Sequence, residues 1–355
     1  MKKILFVVPK GYKGIGGMAL PITQYYEAIR EVAQVDFIEV GYHPSTSDFA
    51  DISANEEYDV ALVYGLNQAY GLSKHYLLKH KGILKTVALL IDSESLYAYS
   101  MLNNAKTKDI KYRIKMFLKK ILYNYKENYC LNKYNEVVYV SSVDKEFVEK
   151  LFPGHKATIT VIENGVSISK RLPQKQHILN MLKLGFFSTF TPAVVEENLK
   201  PIVEVLMPSV VRYYPETKLV VAGRGMSEEL KSYLANFKYV EYMGPVKELS
   251  DFYSVIDIAI PVTLKPNGIL NKVLEAWAYS KTVVAYDYNF ISFSDANKGI
   301  HYLCGKDMGE ISRIIADIIQ GKYDIDEIGN SARELIEKNY TWKSKQKKLI
   351  GLLLV

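Results

Sequence analysis

Segments with strand-like and helix-like patterns alternate along this chain, and the alternation starts again after a polar interruption. The first series opens with the apolar segment 3–8, continues with a helical segment at 18–31 and ends with a strand-like segment at 158–162. Some apolar runs, such as 282–285, are continuous, which is typical of parallel strands buried on both faces. Alternation of this kind predicts α/β architecture, with parallel sheets covered by helices on both faces.

The interruption at 164–176 (NGVSISKRLPQKQ) is polar, contains a proline and lacks apolar periodicity, so we interpret it as a linker. A chain of 355 residues is also long for a single core and suits two domains. We therefore predict two doubly wound domains, at 1–165 and 177–343. The last helix, at about 344–355, is a candidate to pack back on the first domain. A ligand is expected at the carboxyl ends of the strands, in a cleft between the domains.

Composition narrows the class of protein. Apolar residues make up 48% and charged residues 24%, as in a globular protein. The two cysteines, Cys130 and Cys304, do not suffice for a disulfide framework and fit a reducing cytosol. No ligand cluster for structural zinc is visible. The apolar runs at 4–8 and 349–355 are too short for a signal peptide or a membrane span, so we expect a cytoplasmic protein.

Positive charge is concentrated in one region. Nine Lys or Arg face two acids between Asn103 and Asn135, a local charge of +7 against +6 for the whole chain. The helical segment 109–129 within this region combines lysines with an apolar stripe. Its members are Ile110, Ile114, Phe117, Leu118, Ile121, Leu122, Tyr125 and Tyr129. Such a helix favours contact with an anionic membrane surface, and an ordinary packed helix with a solvated basic face is the alternative. No nucleic-acid-binding module accompanies the charge, so we expect no nucleic acid partner.

A charged pair stands in the apolar segment 268–287 (GILNKVLEAWAYSKTVVAYD), which is typical of a helix followed by a strand. Lys272 and Glu275 are three positions apart and therefore lie on the same side of the helix. An acid in such surroundings is costly unless a partner or a ligand satisfies it. The alternatives to a ligand site are a Lys272–Glu275 pair, buried or facing solvent, and a surface lysine whose stem covers apolar residues.

Several segments, in this order, resemble the retaining nucleotide-sugar glycosyltransferases of the GT-B fold, glycosyltransferase family 4 (glycosyl transferases group 1). They are 161–166 (VIENGV), 184–187 (LGFF), 219–225 (LVVAGRG), 240–246 (VEYMGPV), 256–261 (IDIAIP) and 268–285. Each one is unspecific, and their order and spacing carry the resemblance, which is looser in the N-terminal half. It implies two Rossmann-like domains facing across a cleft, with the donor bound by the second domain and the acceptor by the first.

The resemblance also implies roles for the helix at 268–275. Glu275 would bind the ribose hydroxyls and Lys272 the diphosphate of a nucleotide-sugar. The amides of Gly268, Ile269 and Leu270, at the helix N-terminus, would meet phosphate oxygens. The family's first glutamate falls on Asn267, which can hydrogen-bond a sugar but carries no charge.

Further donor-binding candidates lie on loops. Gly16 and Gly17 end a glycine-rich turn that would approach the donor, or that simply connects a strand to a helix. Many relatives have an Arg and Lys clamp for the diphosphate after the first strand of the second domain. The clamp is absent here, and the hydroxyls of Ser188 and Thr189 would replace it weakly. Arg224 is a second candidate cation, with a solvated loop arginine as its alternative.

The remaining candidates concern the base, the acceptor and a metal. Val246 follows the strand that faces the base in the family. Asp92 and Glu94 follow the strand 86–91 and are candidates for orienting the acceptor, although an acid at a strand end is often a helix cap. The pair Asp324 and Asp326 resembles a metal-binding DxD motif but lies between C-terminal helices, so we predict no metal site.

These observations lead to a hypothesis about function. The chain is expected to be a hexosyltransferase that uses a UDP- or GDP-sugar as co-substrate, needs no metal or other cofactor, and acts with retention. Its acceptor would be a glycan or lipid-linked glycan in cell-surface polysaccharide biosynthesis, and the protein would be peripheral on the inner face of the plasma membrane. The alternatives are a non-catalytic nucleotide-sugar-binding partner subunit and a GT-B nucleotide-sugar epimerase.

Overall fold

The computed structural model describes residues 1–14, 18–50, 52, 57–77, 82–104, 110–168, 181–264 and 268–354. The chain divides into two compact units. Unit 1 comprises Met1–Gly165, the short segment Asn267–Ile269 and Trp342–Val355, and unit 2 comprises Val166–Pro266 and Leu270–Thr341.

The elements are named in chain order. The strands are β1 Lys3–Pro9, β2 Gln34–Val40, β3 Tyr58–Tyr64, β4 Ile83–Ile91, β5 Glu136–Tyr139, β6 Thr158–Val161, β7 Lys183–Thr189, β8 Lys218–Arg224, β9 Val240–Gly244, β10 Ile258–Ala259, β11 Thr282–Tyr286 and β12 Leu303–Gly305. The helices are α1 Ala19–Arg30, α2 Leu66–Leu72, α3 Glu94–Asn104, α4 Ile110–Leu131, α5 Ser142–Leu151, α6 Pro192–Val194, α7 Met207–Val211, α8 Glu228–Ala235, α9 Leu249–Val255, α10 Asn271–Ala278, α11 Met308–Ile319, α12 Ile325–Asn339 and α13 Trp342–Leu354.

The strands of unit 1 form a parallel sheet in the order β2-β1-β3-β4-β5-β6. Alternate residues of β1 enter two different cores, because successive side chains of a strand point to opposite faces. Leu5 and Val7 join the core that contains α2 residues and the end of α4. Ile4 and Phe6 join the core that contains α1 and α13 residues. This two-sided burial is the reason that the strand is continuously apolar.

Helix α13 is part of unit 1 although it ends the chain. Trp342 packs edge-on against Tyr25 of α1, with 5.9 Å between ring centroids. The buried Lys345 pairs with Glu163 at 2.8 Å. At the far end of the helix, Lys2 donates to the Leu354 carbonyl at 2.7 Å. Apolar packing at one end and polar contacts along the helix therefore fix α13 to the sheet of unit 1.

Unit 2 has its own parallel sheet, in the order β12-β11-β10-β7-β8-β9. The chain runs outward in one direction from β7 through β8 to β9, and in the other direction from β10 through β11 to β12. The strand order therefore reverses between the neighbours β7 and β10. In open α/β sheets, ligands bind outside the carboxyl ends of the strands at such a reversal.

The predicted fold class is confirmed, and several boundaries differ from the expected ones. The helix expected from Gly268 begins at Asn271, because Gly268 has φ +71°, outside the helical region, and Leu270 is extended. Helical structure at 192–211 includes π-helical turns. Helices α2 and α3 were not predicted. The sequence of α3, ESLYAYSMLNN, is rich in Ser, Tyr and Asn, which have only modest helix propensity.

Two further expectations from the sequence concern the linker and the absence of a membrane span. Much of the expected linker at 164–176 lies outside the described residues. No helix in the described part of the chain is long and apolar enough to cross a membrane.

Candidate functional site

The carboxyl ends of β7 and β10 position a lysine and a serine against each other. Ser188 is the last residue but one of strand β7, and Lys272 lies in the first turn of α10, which follows β10. The Lys272 Nζ donates to the Ser188 Oγ at 2.8 Å and lies 5.5 Å from the centroid of the Phe186 ring. A cation is thus held at the reversal of strand order, where a ligand is expected.

A cavity of about 260 Å³ opens at the carboxyl ends of β7 and β8 and beyond β9. It is lined by Phe187, Ser188, Thr189, Gly223, Arg224, Val246, Lys247 and Leu249. Four residues predicted to bind the donor are therefore brought together here: Ser188, Thr189, Arg224 and Val246. Lys247 is an additional cation that the sequence reasoning missed, although its position directly after Val246 was a usable signal.

Gly223 shapes this cavity because no larger residue fits. Its φ is +139°, and a Cβ at this position would lie 1.7 Å from the Ser188 carbonyl oxygen. Next to it, the Phe190 amide donates to the Arg224 carbonyl at 2.8 Å. The G-R-G turn therefore lies directly against the end of β7, and this close approach places Arg224 beside Ser188 and Thr189 at the cavity wall.

Glu275 lies one turn after Lys272 on α10 and is partly buried. Burial raises its pKa from 4.5 to about 7, and the charge of Lys272 opposes this rise. Among the residues that the structure describes, no hydrogen-bond donor contacts its carboxylate. Glu275 is therefore near its midpoint of ionisation at neutral pH, and both of its oxygens remain able to accept hydrogen bonds.

Helix α10 is held firmly from its other side. The side chain of Trp277 is fully buried and packs edge-on against Phe293, with 4.9 Å between ring centroids. At the C-terminal end of the helix, the buried Arg333 donates to the carbonyl of Ala278. A buried aromatic anchor and a charged cap fix the helix, so that Lys272 and Glu275 are held in place before any ligand arrives.

A second polar cluster lies within unit 1, around Asp144 of α5. This buried carboxylate accepts from the Ser93 amide at 2.9 Å, from the Gly268 amide at 3.0 Å and from the Ser141 hydroxyl. Asp92 lies against the same glycine, since a Cβ on Gly268 would be 2.2 Å from its Oδ1. The structure therefore brings the acceptor candidate Asp92 together with the donor candidate Gly268.

The contact with Asp144 changes the expectation for Gly268. Its amide was expected to face a diphosphate, and in the structure it donates to a carboxylate instead. Binding of phosphate by this amide would require it to leave Asp144. Ile269 is buried, and Leu270 is the N-cap of α10, so both directly precede the helix that carries Lys272.

Glu127 of α4 completes the polar cluster. It is fully buried and accepts from the Ser93 hydroxyl at 3.1 Å, the Ser95 amide at 3.3 Å and the Tyr139 hydroxyl at 2.8 Å. Burial raises its pKa to about 7. The sequence reasoning missed both Glu127 and Asp144. The signal for Asp144 was its place three residues after Ser141, which caps α5, whereas Glu127 appeared only as one acid in a basic segment.

The other candidates lie elsewhere or cannot be placed. Gly16, Gly17 and Asn267 lie outside the described residues. Glu94 begins α3, where its charge adds to the burial that raises the pKa of Tyr123 to about 12.

Asp324 caps α12 by accepting from the amides of Asp326 and Glu327. No group of three or more His, Cys, Asp or Glu side chains that could hold a metal ion is found in the described ranges.

One segment of unit 2 matches the model of a known protein family. Residues 182–320, which include the cavity, Lys272 and Glu275, match the model of the family Glycosyl transferases group 1. This segment of unit 2 therefore carries the sequence pattern of a glycosyltransferase family. No curated protein matches the sequence.

Solved structures resemble the whole chain. Sucrose-phosphate synthase (tll1590) from Thermosynechococcus elongatus is 12% identical, with a TM-score of 0.74 over 99% of this chain and 98% of that one. Anabaena Alr3699/HepE in complex with UDP is 14% identical, with a TM-score of 0.70 over 99% of both chains. The lipopolysaccharide outer core galactosyltransferase WaaB is 13% identical, with a TM-score of 0.68 over 99% of both. The chain thus has the GT-B fold, as its two parallel sheets with alternating helices also indicate.

Proposed function

We propose that this protein is a retaining glycosyltransferase of family 4, a hexosyltransferase that transfers a sugar from a nucleoside-diphosphate-sugar to a glycan or lipid-linked glycan. The observation that carries the proposal is the bond between Lys272 and Ser188 at the strand reversal, with Glu275 one turn away and a cavity alongside. The family match of the same segment supports the reaction class.

The residues around the cavity suit a diphosphate. Lys272, Arg224 and Lys247 supply positive charge at or beside it, and Lys272 is already oriented by Ser188. Departure of the diphosphate from the anomeric carbon builds negative charge on the leaving oxygens. A fixed cation at that place stabilises the transition state more than the ground state. We assign this role to Lys272 and propose that these cations replace a metal ion.

Glu275 suits the ribose. Its carboxylate, which receives no donor from the described residues, can accept from two hydroxyl groups, and such bonds favour its ionised form. For the base we favour uracil over guanine, because HepE has been solved with UDP and with UDP-glucose. The proton of the acceptor hydroxyl would pass to the departing diphosphate, so that the chain itself need not supply a general base.

We place the reaction in cell-surface polysaccharide biosynthesis, with the protein in the cytoplasm and peripheral on the inner face of the plasma membrane. The basic, apolar helix α4 is the feature that supports this location.

A screen of nucleotide-sugars by thermal shift tests the donor site. Wild type is compared with Glu275→Ala and with Glu334→Ala, a control that removes an exposed acid from α12 in the same unit. A donor at 100 times its Kd should stabilise the wild type and the control by about 2.7 kcal/mol. Glu275→Ala should lose most of this shift. If no nucleotide-sugar shifts the wild type, the donor assignment is wrong.

Turnover separates the enzyme from its alternatives. With the stabilising donor and a glycan acceptor, release of nucleoside diphosphate is expected, and it should persist in EDTA. NMR of the product should show the anomeric configuration of the donor. A partner subunit would bind the donor without releasing diphosphate, and an epimerase would convert the donor to a second nucleotide-sugar.

A further inference from the structure

Helix α4 exposes an apolar stripe to solvent. The helix has 22 residues and is about 33 Å long. Its exposed large apolar residues are Ile110, Ile114, Phe117, Leu118, Ile121, Leu122 and Tyr125. They recur at intervals of three and four residues and therefore form one continuous stripe. Leu118, in the middle of it, is 60% exposed. Packing within unit 1 does not explain this stripe, because it faces away from the core.

The opposite side of α4 anchors the helix to unit 1. Cys130 and Leu131 are buried in the core beneath the sheet. Lys126 donates to the Asn67 side chain at 2.6 Å, and the Tyr112 hydroxyl lies 3.9 Å from the sulfur of Met101. The stripe is therefore presented on a helix that is already folded, so binding would not have to pay for folding it.

Within α4 itself, Ile110–Leu131, the exposed charges beside the stripe all have the same sign. Lys111, Arg113 and Lys115 are exposed, and Lys119 and Lys120 are partly exposed. Glu127, the acid within α4, is buried and hydrogen-bonded, so it does not neutralise them. Lys111, Lys115 and Lys119 flank Ile114, Leu118 and Leu122 around a shallow, almost wholly apolar hollow. Lysines can extend along such a surface and hold their ammonium groups at its rim.

We propose that the stripe of α4 and its flanking lysines form a docking surface for an anionic lipid bilayer. A basic helix with a continuous apolar face lies in the plane of a membrane interface, with the apolar side chains at the acyl boundary and the lysines among anionic headgroups. A second copy of this chain suits the surface poorly, because symmetric pairing of α4 with itself would bring the positive groups together. That the membrane supplies a lipid-linked acceptor rests on the proposed function, whereas the docking rests on α4 alone.

Vesicle flotation with the full chain tests the docking. The vesicles are pure phosphatidylcholine or phosphatidylcholine with 40% phosphatidylglycerol as the anionic lipid. The wild type should float with the anionic vesicles and stay mostly free with the neutral ones. High salt should weaken the binding, because it screens exposed charges.

Two variants and one control locate the surface. The triple variant Lys111→Gln, Lys115→Gln, Lys119→Gln should lose about a hundredfold in affinity, at about fivefold for each lysine. The control Lys306→Gln, Lys322→Gln, Lys338→Gln removes three exposed lysines of unit 2 and should bind like wild type. The variant Ile114→Ser, Leu118→Ser keeps every charge and should still lose at least tenfold, because part of the binding comes from apolar insertion. Unchanged melting temperatures confirm that the variants are folded.

Three outcomes would overturn the docking. These are equal binding of the wild type to both kinds of vesicle, no binding to either, and an equal loss in the α4 and control triple variants. Failure to bind vesicles would leave an acidic protein as the partner to test for this surface. The donor thermal shift, measured on the same α4 variants, should stay unchanged. Vesicle binding without any donor shift would leave the docking standing and refute the proposed function, and the reverse result would refute the docking alone.

Discussion

Glu127 in unit 1 and Glu275 in unit 2 are two glutamates on helices whose pKa burial raises to about 7. Their surroundings differ. Glu127 is fully buried and accepts three hydrogen bonds, from Ser93, Ser95 and Tyr139. Glu275 is partly exposed, has Lys272 as its charged neighbour and receives no donor from the described residues. The same pKa therefore arises once in a satisfied hydrogen-bond network and once on a carboxylate that sits one turn from Lys272 and receives no donor from the described residues.

The comparison separates two consequences of burying an acid. A carboxylate whose oxygens are already hydrogen-bonded holds its own neighbours together, and removing it leaves those neighbours unpaired. A carboxylate with unused acceptors destabilises the protein when it is ionised and gains most from a ligand that supplies donors. The raised pKa of a glutamate thus does not by itself mark a site, whereas unused hydrogen-bonding capacity one turn from an oriented lysine makes Glu275 a candidate.

The largest expected effect is on the stability of unit 1. Glu127→Ala should lower the free energy of unfolding by about 3–5 kcal/mol, because it leaves buried donors unpaired and creates a cavity. When both variants are measured at near-neutral pH, Glu275→Ala should change the free energy of unfolding by less than about 1 kcal/mol. Urea unfolding followed by circular dichroism measures both. Equal losses in the two variants would remove the distinction between the two sites.

The pH dependence of stability should reveal Glu275 next. Its folded-state pKa of about 7 lies above the ordinary value of 4.5, so the folded state binds the proton more tightly. The contribution of protonated Glu275 to the free energy of unfolding is fully present below pH 4.5. It is lost as the pH rises from about 4.5 to about 7, with an amplitude of roughly 2–3 kcal/mol. Urea unfolding across this range should show a steeper fall for wild type than for Glu275→Gln. Parallel curves would mean that Glu275 is not buried enough to titrate abnormally.

Donor affinity should follow the opposite trend. Hydrogen bonds from ribose hydroxyls favour the ionised carboxylate, so the donor should bind more weakly when Glu275 is protonated. With a free-protein pKa of about 7, affinity at pH 6 should be about tenfold lower than at pH 8. Isothermal titration calorimetry with the stabilising nucleotide-sugar measures this, and Glu275→Gln should show no such trend. A flat wild-type profile would place Glu275 outside the donor site.

The smallest effect concerns the polar cluster of unit 1. Gly268→Ala should destabilise the protein by about 1 kcal/mol more than Gly321→Ala. Both glycines have similar left-handed φ values, +71° and +77°, but only the new Cβ at 268 meets Asp92, since nothing lies within 4 Å at 321. Thermal unfolding of the two variants isolates this contact. Equal destabilisation would show that Asp92 moves aside freely.

Local patterns in the sequence determined the fold class of this protein and which residues share one face of a helix. Strand–helix alternation was sufficient to predict two parallel α/β sheets, because burial on both faces demands continuous apolar strands and connecting helices. The three-residue spacing of Lys272 and Glu275 placed them on one side of α10 without knowledge of the fold. The apolar stripe of α4 was likewise readable from its periodicity alone.

The tertiary structure decided which distant residues meet and which faces stay uncovered. Lys272 and Ser188 are 84 positions apart, and Asp144 and Gly268 are 124 apart. Their contacts depend on strand order, which no local pattern encodes. In the sequence Glu127 is only one acid in a basic segment, and its burial against Tyr139 of β5 is decided by the fold. Periodicity likewise shows that a helix has an apolar face but not whether the core covers it, because covering depends on elements far away in the sequence.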